Sequence, residues 1–230
     1  MPETAIGEAN GPMDALRKEL APPATGRNPA LQEMTREWLV DRLAHGVPQG
    51  ALLEGDHGGS AIPELTPAAV LVPIVNRLDG MTLLLTQRTA HLNDHAGQVS
   101  FPGGRAEAED GSLVATALRE IREEVGIEPH RIEVLGQLPE YTTRTGYRVT
   151  PVVGLLQPPF EVAPDAFEVA EVFEVPLAFL LDPSNHQRHS RLHEGVMRHF
   201  WAMPYANYYI WGATAGMLRN LYRCLMHDAD

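Results

Sequence analysis

Two periods of hydrophobic recurrence divide the chain. Residues 68–77 (AAVLVPIVNR) form a continuous apolar run of strand length, Leu78-Asp79-Gly80 supplies turn chemistry, and MTLLLTQR continues as a second strand, which together predict a hairpin. RIEVLGQLPEY, YRVTPVVGLL, EVAEVFEV (residues 168–175) and MRHFWAMPY read as further strands. Helical spacing takes over in three long segments, and a short helix is expected in a fourth. Trp38, Leu39, Arg42 and Leu43 recur in EMTREWLVDRLAH (residues 33–45), ahead of the stop signals Gly46 and Pro48. A central helix is expected from about Ser112 to Val125, where Val114, Ala117, Leu118, Ile121 and Val125 share one face at about 100° per residue. WGATAGMLRNLYRCLMH makes an amphipathic C-terminal helix, and residues 177–181 a short one. Strands on both sides of a central helix, with another helix at the end, predict an α+β or α/β fold with a mixed sheet sandwiched between helices.

The remaining stretches lack a sustained period. Residues 1–30, rich in Pro, Gly, Ala and charge, are expected to be disordered, residues 31–66 to hold the first helix and a Gly/Pro-rich surface loop, and residues 67–228 to form the main domain. FPGGR reads as a glycine loop whose turn requires positive φ. His186, His189 and His193 have a spacing that could suggest a metal site, but the segment is polar, Gly195 weakens a helix, and Met197 stands where an H-E-x-x-H pattern needs its second histidine; a surface loop is expected.

Composition narrows the chemistry. A formal charge of −12 opposes sequence-independent binding to nucleic acid, so any phosphate handled here needs a local cation. The only lysine is Lys18, outside the expected domain, which removes Walker-type phosphate binding and Schiff-base catalysis. Cys224 is the sole cysteine, leaving no intramolecular disulfide or cysteine-built zinc site. No apolar stretch approaches the roughly 20 residues of a membrane span, and the N-terminus lacks the basic start and apolar core of a secretory signal, so a cytoplasmic location is the expectation. Neither a G-x-S-x-G elbow nor a G-x-G-x-x-G fingerprint is present.

The chemistry concentrates on the central helix. Glu120, Glu123 and Glu124 stand at spacings of three and four and are expected to converge on an arc away from the core face. Such clustered carboxylates repel unless a cation lies among them, and hard oxygen ligands suit Mg²⁺ or Mn²⁺. Arg119 lies four residues before Glu123, within reach to orient it. Gly126 marks the helix end, as a left-handed cap.

REIREEVGI behind a glycine loop resembles the second half of the Nudix box, G-x5-E-x7-R-E-U-x-E-E-x-G-U with U aliphatic: Arg119, Glu120, Ile121, Glu123, Glu124, Gly126 and Ile127 all match. The first half departs from it. Gly111 stands where the fixed glutamate belongs, and Asp110, nine residues before Arg119, takes its place with one residue inserted. Resemblance to the Nudix family implies a Nudix fold and metal-assisted attack of water on phosphorus. Glu120 and Glu124 would then be the principal metal ligands, and Glu123 a further ligand or the general base; Glu168 and Glu171 are alternative bases, as some members draw the base from a later loop.

Upstream, LLTQRTAHLNDHAGQVSFPGG (residues 84–104) resembles the extension of the coenzyme A diphosphatase branch, LLTxR(S/T)xxxRxxxGxxxFPGG, with Asn93 in place of the second arginine. TTRTGYRVTPVVG and IWGATAGMLRNL also resemble that branch. The resemblance implies cleavage of coenzyme A or an acyl derivative, with Arg88, Arg105, Gly103 and Gly104 at the substrate and His91 or His95 sharing the phosphate. ADP-ribose, NADH or a modified nucleoside triphosphate are the rival substrates. A non-catalytic nucleotide-sensing or protein-binding module is the rival class, set against an acidic cluster that stands whole. Neither nucleic acid nor membrane is an expected partner, and a homodimer is left open.

Overall fold

The computed structural model describes residues 34–45, 53, 55–56, 64–91, 96–193 and 196–226. The expectations for residues 1–30, for most of the loop up to residue 66, and for Asn93 and His95 fall outside the described residues.

The predicted hairpin is β1 (Thr66–Arg77) and β2 (Gly80–Arg88), paired antiparallel from Ile74↔Leu83 to Arg77↔Gly80. β1 lies at the centre of the sheet because both its faces are apolar, and this double burial suits a strand with a parallel neighbour. That neighbour is β7 (Tyr147–Leu156), in register from Thr66↔Tyr147 to Val75↔Leu156. β3 (Val99–Ser100) and β5 (Ile132–Gln137) complete the path β3-β2-β1-β7-β5. β4 (Gly103–Arg105) pairs with β1, β6 (Tyr141–Thr142) with β7 and β8 (Val169–Pro176) with β2.

Alternation along β1 sends side chains into two cores. Ala69, Leu71 and Val75, with Leu84, Val152 and Leu156, meet Ala117, Ile121 and Val125 of helix α2 (Leu113–Val125). Ala68, Val72 and Ile74 face the opposite way, toward helix α1 (Arg36–His45), the one-turn α3 (Leu177–Leu180) and the C-terminal α4 (Gly212–Met226). The sheet is thus sandwiched between helices, as expected. Helix α1 begins at Arg36 because Thr35 supplies the cap, its Oγ1 accepting from the Trp38 N–H at 3.1 Å.

A second sheet was not foreseen in full. β9 (Gln187–His193), β10 (Val196–Tyr205) and β11 (Tyr208–Trp211) form an antiparallel meander. The segment expected as a surface loop is therefore a 3-10 turn, Pro183–Asn185, followed by an edge strand, and the strand lacks apolar alternation, its residues 187–192 being exposed or half-buried with none in a core. His186 is held in this turn region, with its Nε2 2.8 Å from the Leu180 carbonyl and Nδ1 3.2 Å from Arg219. The meander joins the main sheet through Tyr208, whose ring stacks on Phe173 of β8 with centroids 3.5 Å apart.

Helix α2 is fixed by Ala117, Ile121 and Val125, all fully buried between it and the sheet, of which Ile121 is the largest. Ile121→Ala should lower unfolding stability by about 3 kcal/mol, seen as an earlier urea midpoint at unchanged slope.

Candidate functional site

The site begins one turn ahead of α2. Ala108–Asp110 form a 3-10 turn, Gly111 follows with φ +69°, and Ser112 then caps the helix, its Oγ accepting from the Ala115 N–H at 3.1 Å. The extra residue between Asp110 and the helix is thus absorbed by a left-handed position that glycine occupies without a Cβ penalty. Asp110 is turned back onto the helix. It accepts from Arg119 Nε at 2.8 Å and a terminal nitrogen at 3.1 Å, from Thr116 Oγ1 at 2.8 Å and from the Glu107 N–H at 2.9 Å. These donors, Arg119 foremost, hold its carboxyl well below the usual carboxylate range.

Arg119 spends all five of its N–H groups. Beyond the two on Asp110, one terminal nitrogen donates to Glu120 at 2.8 Å and to Glu123 at 2.9 Å, and the other also donates to the Arg105 carbonyl at 3.1 Å. The pairing with Glu123 is the i,i+4 contact anticipated from spacing. Fully engaged in this way, Arg119 positions other groups and has no donor left over for a substrate.

The three glutamates, with Glu120 close enough to act electrostatically on both of the others, have different surroundings. Glu123 is half exposed and drawn toward Arg119 and Arg122, the latter at 3.7 Å. Glu120 is largely buried, and desolvation raises its pKa despite the adjacent Arg119. Glu124 is buried outright, its side chain 7% exposed, and it lies with the core residues of α2. Burial first, then the charge of Glu120, pushes its pKa up to about 8, against the opposing pull of Arg88 and the Gly103 N–H. Among the described residues, no three His, Cys, Asp or Glu side chains are grouped as a ready metal cage. Like charges with arginines at hand have paired with those arginines.

Across from the helix, β4 runs against β1 with Ala69↔Gly104 and Val70↔Gly103 opposite one another. The Gly103 N–H donates to Glu124 Oε2 at 3.2 Å. A Cβ on Gly104 would strike the Glu120 carboxylate, and one on Gly103 would strike Ala69 and Val70. The expected positive φ is absent from this pair, which belongs to a short strand; these glycines are required by lack of space.

Arg88 closes the other side. At the end of β2 the register with β8 slips, from Gln87↔Glu171 to Arg88↔Val169, an irregularity of the kind that re-aims a side chain. Arg88 lies 3.5 Å from Glu124 Oε1 and 3.6 Å from Glu168 Oε2, bridging helix and loop. Thr89 fixes that loop, its N–H donating to the Glu168 carbonyl at 2.9 Å and its hydroxyl to the Phe167 carbonyl at 2.8 Å. Glu168, in the turn before β8, therefore joins the site. Glu171 is taken by Tyr208, whose hydroxyl donates to it at 2.7 Å. Arg105 is exposed and forms no ion pair among the described residues, while His91 leans on Phe167 with centroids 4.9 Å apart.

The donor set fits a hard divalent cation. Glu120 and Glu124 contribute carboxylate oxygens whose charged form burial disfavours and a cation would restore, and among the described residues the guanidinium facing Glu124, that of Arg88, stands 3.5 Å away.

A NUDIX domain profile matches residues 65–195. The chain belongs to the Nudix hydrolase family. Proteins named uncharacterized Nudix hydrolase NudL are close to it: that of Citrobacter koseri is 46% identical over 154 residues, covering 67% of this chain and 80% of its own, and that of Escherichia coli O1:K1 is 47% identical with the same coverage. Among solved structures, the M. smegmatis Nudix hydrolase RenU overlays with a TM-score of 0.44 at 21% identity, covering 56% of this chain and 81% of that one. The assignment rests on the sequence matches. As a Nudix hydrolase the protein acts on nucleoside diphosphate derivatives, and members of the family generally use divalent metal ions. No helix among the described residues is long and apolar enough to cross a membrane.

Glu124 sets a pH dependence of the metal-free Nudix fold. Folded, it keeps its proton up to about pH 8, against 4.5 for the ordinary residue. Between those values the folded state binds more protons than the unfolded, so stability falls as pH rises and levels off above about 8. The loss should be on the order of 5 kcal/mol, read as a falling melting temperature in chelator. Glu124→Gln should flatten this trend and be the more stable protein at pH 8; an unchanged slope in that variant would place the effect elsewhere.

Proposed function

We propose that the chain hydrolyses the diphosphate of coenzyme A or an acyl-coenzyme A, releasing 4′-phosphopantetheine or its acylated form and adenosine 3′,5′-bisphosphate. The observation that carries the substrate is the LLTQRTA…FPGG segment, which resembles the coenzyme A diphosphatase extension and supplies both Arg88 and the Gly103 N–H to the buried Glu124. Substrate-selecting sequence and reaction chemistry are thereby built into one another.

In this reading Glu120 and Glu124 hold Mg²⁺ or Mn²⁺, with Glu123 available as a further ligand. The cation, when bound, supplies a lowered pKa for water and offsets charge on the diphosphate oxygens. Arg119 keeps Glu120 and Glu123 aimed, and Asp110 keeps Arg119 aimed, so Asp110 carries the anchoring that the displaced box glutamate would provide. Glu168 takes the proton as the water oxygen bonds to phosphorus and the bridging P–O bond breaks. It is the better base because it comes from a different element than the ligands, whereas Glu123 is already engaged by Arg119. Arg88 faces both carboxylates and turns to the diphosphate; its planar fork suits phosphate oxygens. In this reading Arg105, exposed at the end of β4, would meet the outer phosphate of the nucleotide.

A product assay across coenzyme A, ADP-ribose, NADH and nucleoside triphosphates with Mg²⁺ or Mn²⁺ tests the substrate, and ADP-ribose turned over fastest would overturn it. Glu124→Gln should nearly abolish hydrolysis, and full activity there would remove the proposed site. Glu168→Gln should lower kcat by about 100-fold or more with metal affinity retained. Coenzyme A should outcompete dephospho-coenzyme A, since only the former offers a 3′-phosphate to arginine; equal rates would argue against that contact.

A further inference from the structure

Phe167 is an anomaly beside this site. The residue is 65% exposed, an unusual position for a large aromatic, yet the backbone around it is closely held. The Phe167 carbonyl accepts from the Thr89 hydroxyl at 2.8 Å, its N–H donates to Asp165 Oδ1 at 2.9 Å, and the next carbonyl accepts from the Thr89 N–H at 2.9 Å. His91 meets the ring edge-on, with centroids 4.9 Å apart at 63°. The neighbouring residue is Glu168, 3.6 Å from Arg88, which in turn faces the buried Glu124. An aromatic on a closely hydrogen-bonded backbone therefore stands next in sequence to Glu168, with most of its surface open.

We infer that Phe167, backed by His91, is the platform on which the aromatic base of the nucleotide substrate stacks. The inference rests on the reading of the protein as a hydrolase of nucleoside diphosphate derivatives and adds where the nucleoside end lies. Three physical points favour a base over an aliphatic group. A flat, open ring offers a stacking face that a purine covers more completely than a flexible chain does. Stacking asks for little beyond a fixed plane, and Thr89 and Asp165 fix this one. The diphosphate of a nucleotide lies within a ribose of its base, and Phe167 is next in sequence to Glu168, whose carboxylate lies 3.6 Å from Arg88. Thr89 thus couples the two halves of recognition: through Arg88, its neighbour in β2, it touches the phosphate end, and through Phe167 the base end.

The test separates the base from the phosphate. Calorimetry with adenosine 5′-monophosphate and with ribose 5-phosphate should show the former binding about tenfold more tightly to the wild-type chain, the range expected for one stacked base. Phe167→Ala should erase that difference while leaving ribose 5-phosphate affinity as it was, and should raise KM for coenzyme A about tenfold. Phe167→Tyr should restore both. Since the side chain is mostly exposed, Phe167→Ala should keep the wild-type melting temperature, which confirms that the comparison is between folded proteins. A Phe167→Ala chain that still prefers adenosine monophosphate overturns the platform. So does an equal loss for both ligands. Neither result touches the diphosphatase reading, which stands or falls on wild-type turnover.

Discussion

A carboxylate in a nearly dry place is the constraint on which the rest of this structure depends. Glu124 lies on the buried side of its helix, where desolvation raises its pKa and neighbouring charge raises it further. What surrounds it is a set of partial remedies. One backbone N–H comes from β4, and one guanidinium comes from the end of β2, neither close enough to form a short charge-assisted hydrogen bond. The glycine pair in β4 exists because the helix carboxylates and the central strand leave no room for side chains there. The β2–β8 irregularity falls at the residue where the strand must deliver Arg88 to the same spot. Sheet, helix and loop thus meet at one group whose charged form the protein alone stabilises poorly, an arrangement that favours binding of an external cation.

Arg119 solves the complementary problem of keeping several acids apart yet aimed. Its five donors reach Asp110, Glu120, Glu123 and the Arg105 carbonyl, tying the helix to the turn before it and to β4. The departure from the family pattern at Gly111 becomes intelligible at this point. Inserting one residue would carry the acid away from Arg119, but a left-handed glycine folds the turn back, and the shorter Asp110 makes a two-pronged contact. The pattern is broken in sequence and the contact survives in space.

Much of this could be read from the chain. Strands β1, β2, β7 and β8, the three longer helices and the i,i+4 pair Arg119 and Glu123 all follow from periodicity and spacing. The burial of Glu124 was missed, although a signal was present: it stands seven residues after Ala117 and three after Ile121, which places it about 20° from the former on the helix wheel. Its acidity argued for the solvent arc, and angle should have outweighed residue type. The short strands β3, β4 and β11 span two to four residues, too few for any period to register. β9 was hidden because an edge strand outside the core has no apolar face to display. Glu168 and Glu171 were indistinguishable in EVAEVFEV, since only the fold shows one facing Arg88 and the other taken by Tyr208.

The chain's net charge of −12 sets the last condition on how such a protein meets an anion. At physiological salt, charges more than about 8 Å apart are screened, so a distant acidic surface weakens approach only modestly, while the field inside the site decides binding. There acids outnumber cations: Arg88 and Arg119 stand against Asp110, Glu120, Glu123, Glu124 and Glu168, with Arg119 fully occupied. One divalent cation among the glutamates would leave Arg88 with less to neutralise and thereby release it toward phosphate. Metal and substrate would then bind cooperatively without any movement of the fold, because both draw on the same arginine and the same buried glutamate.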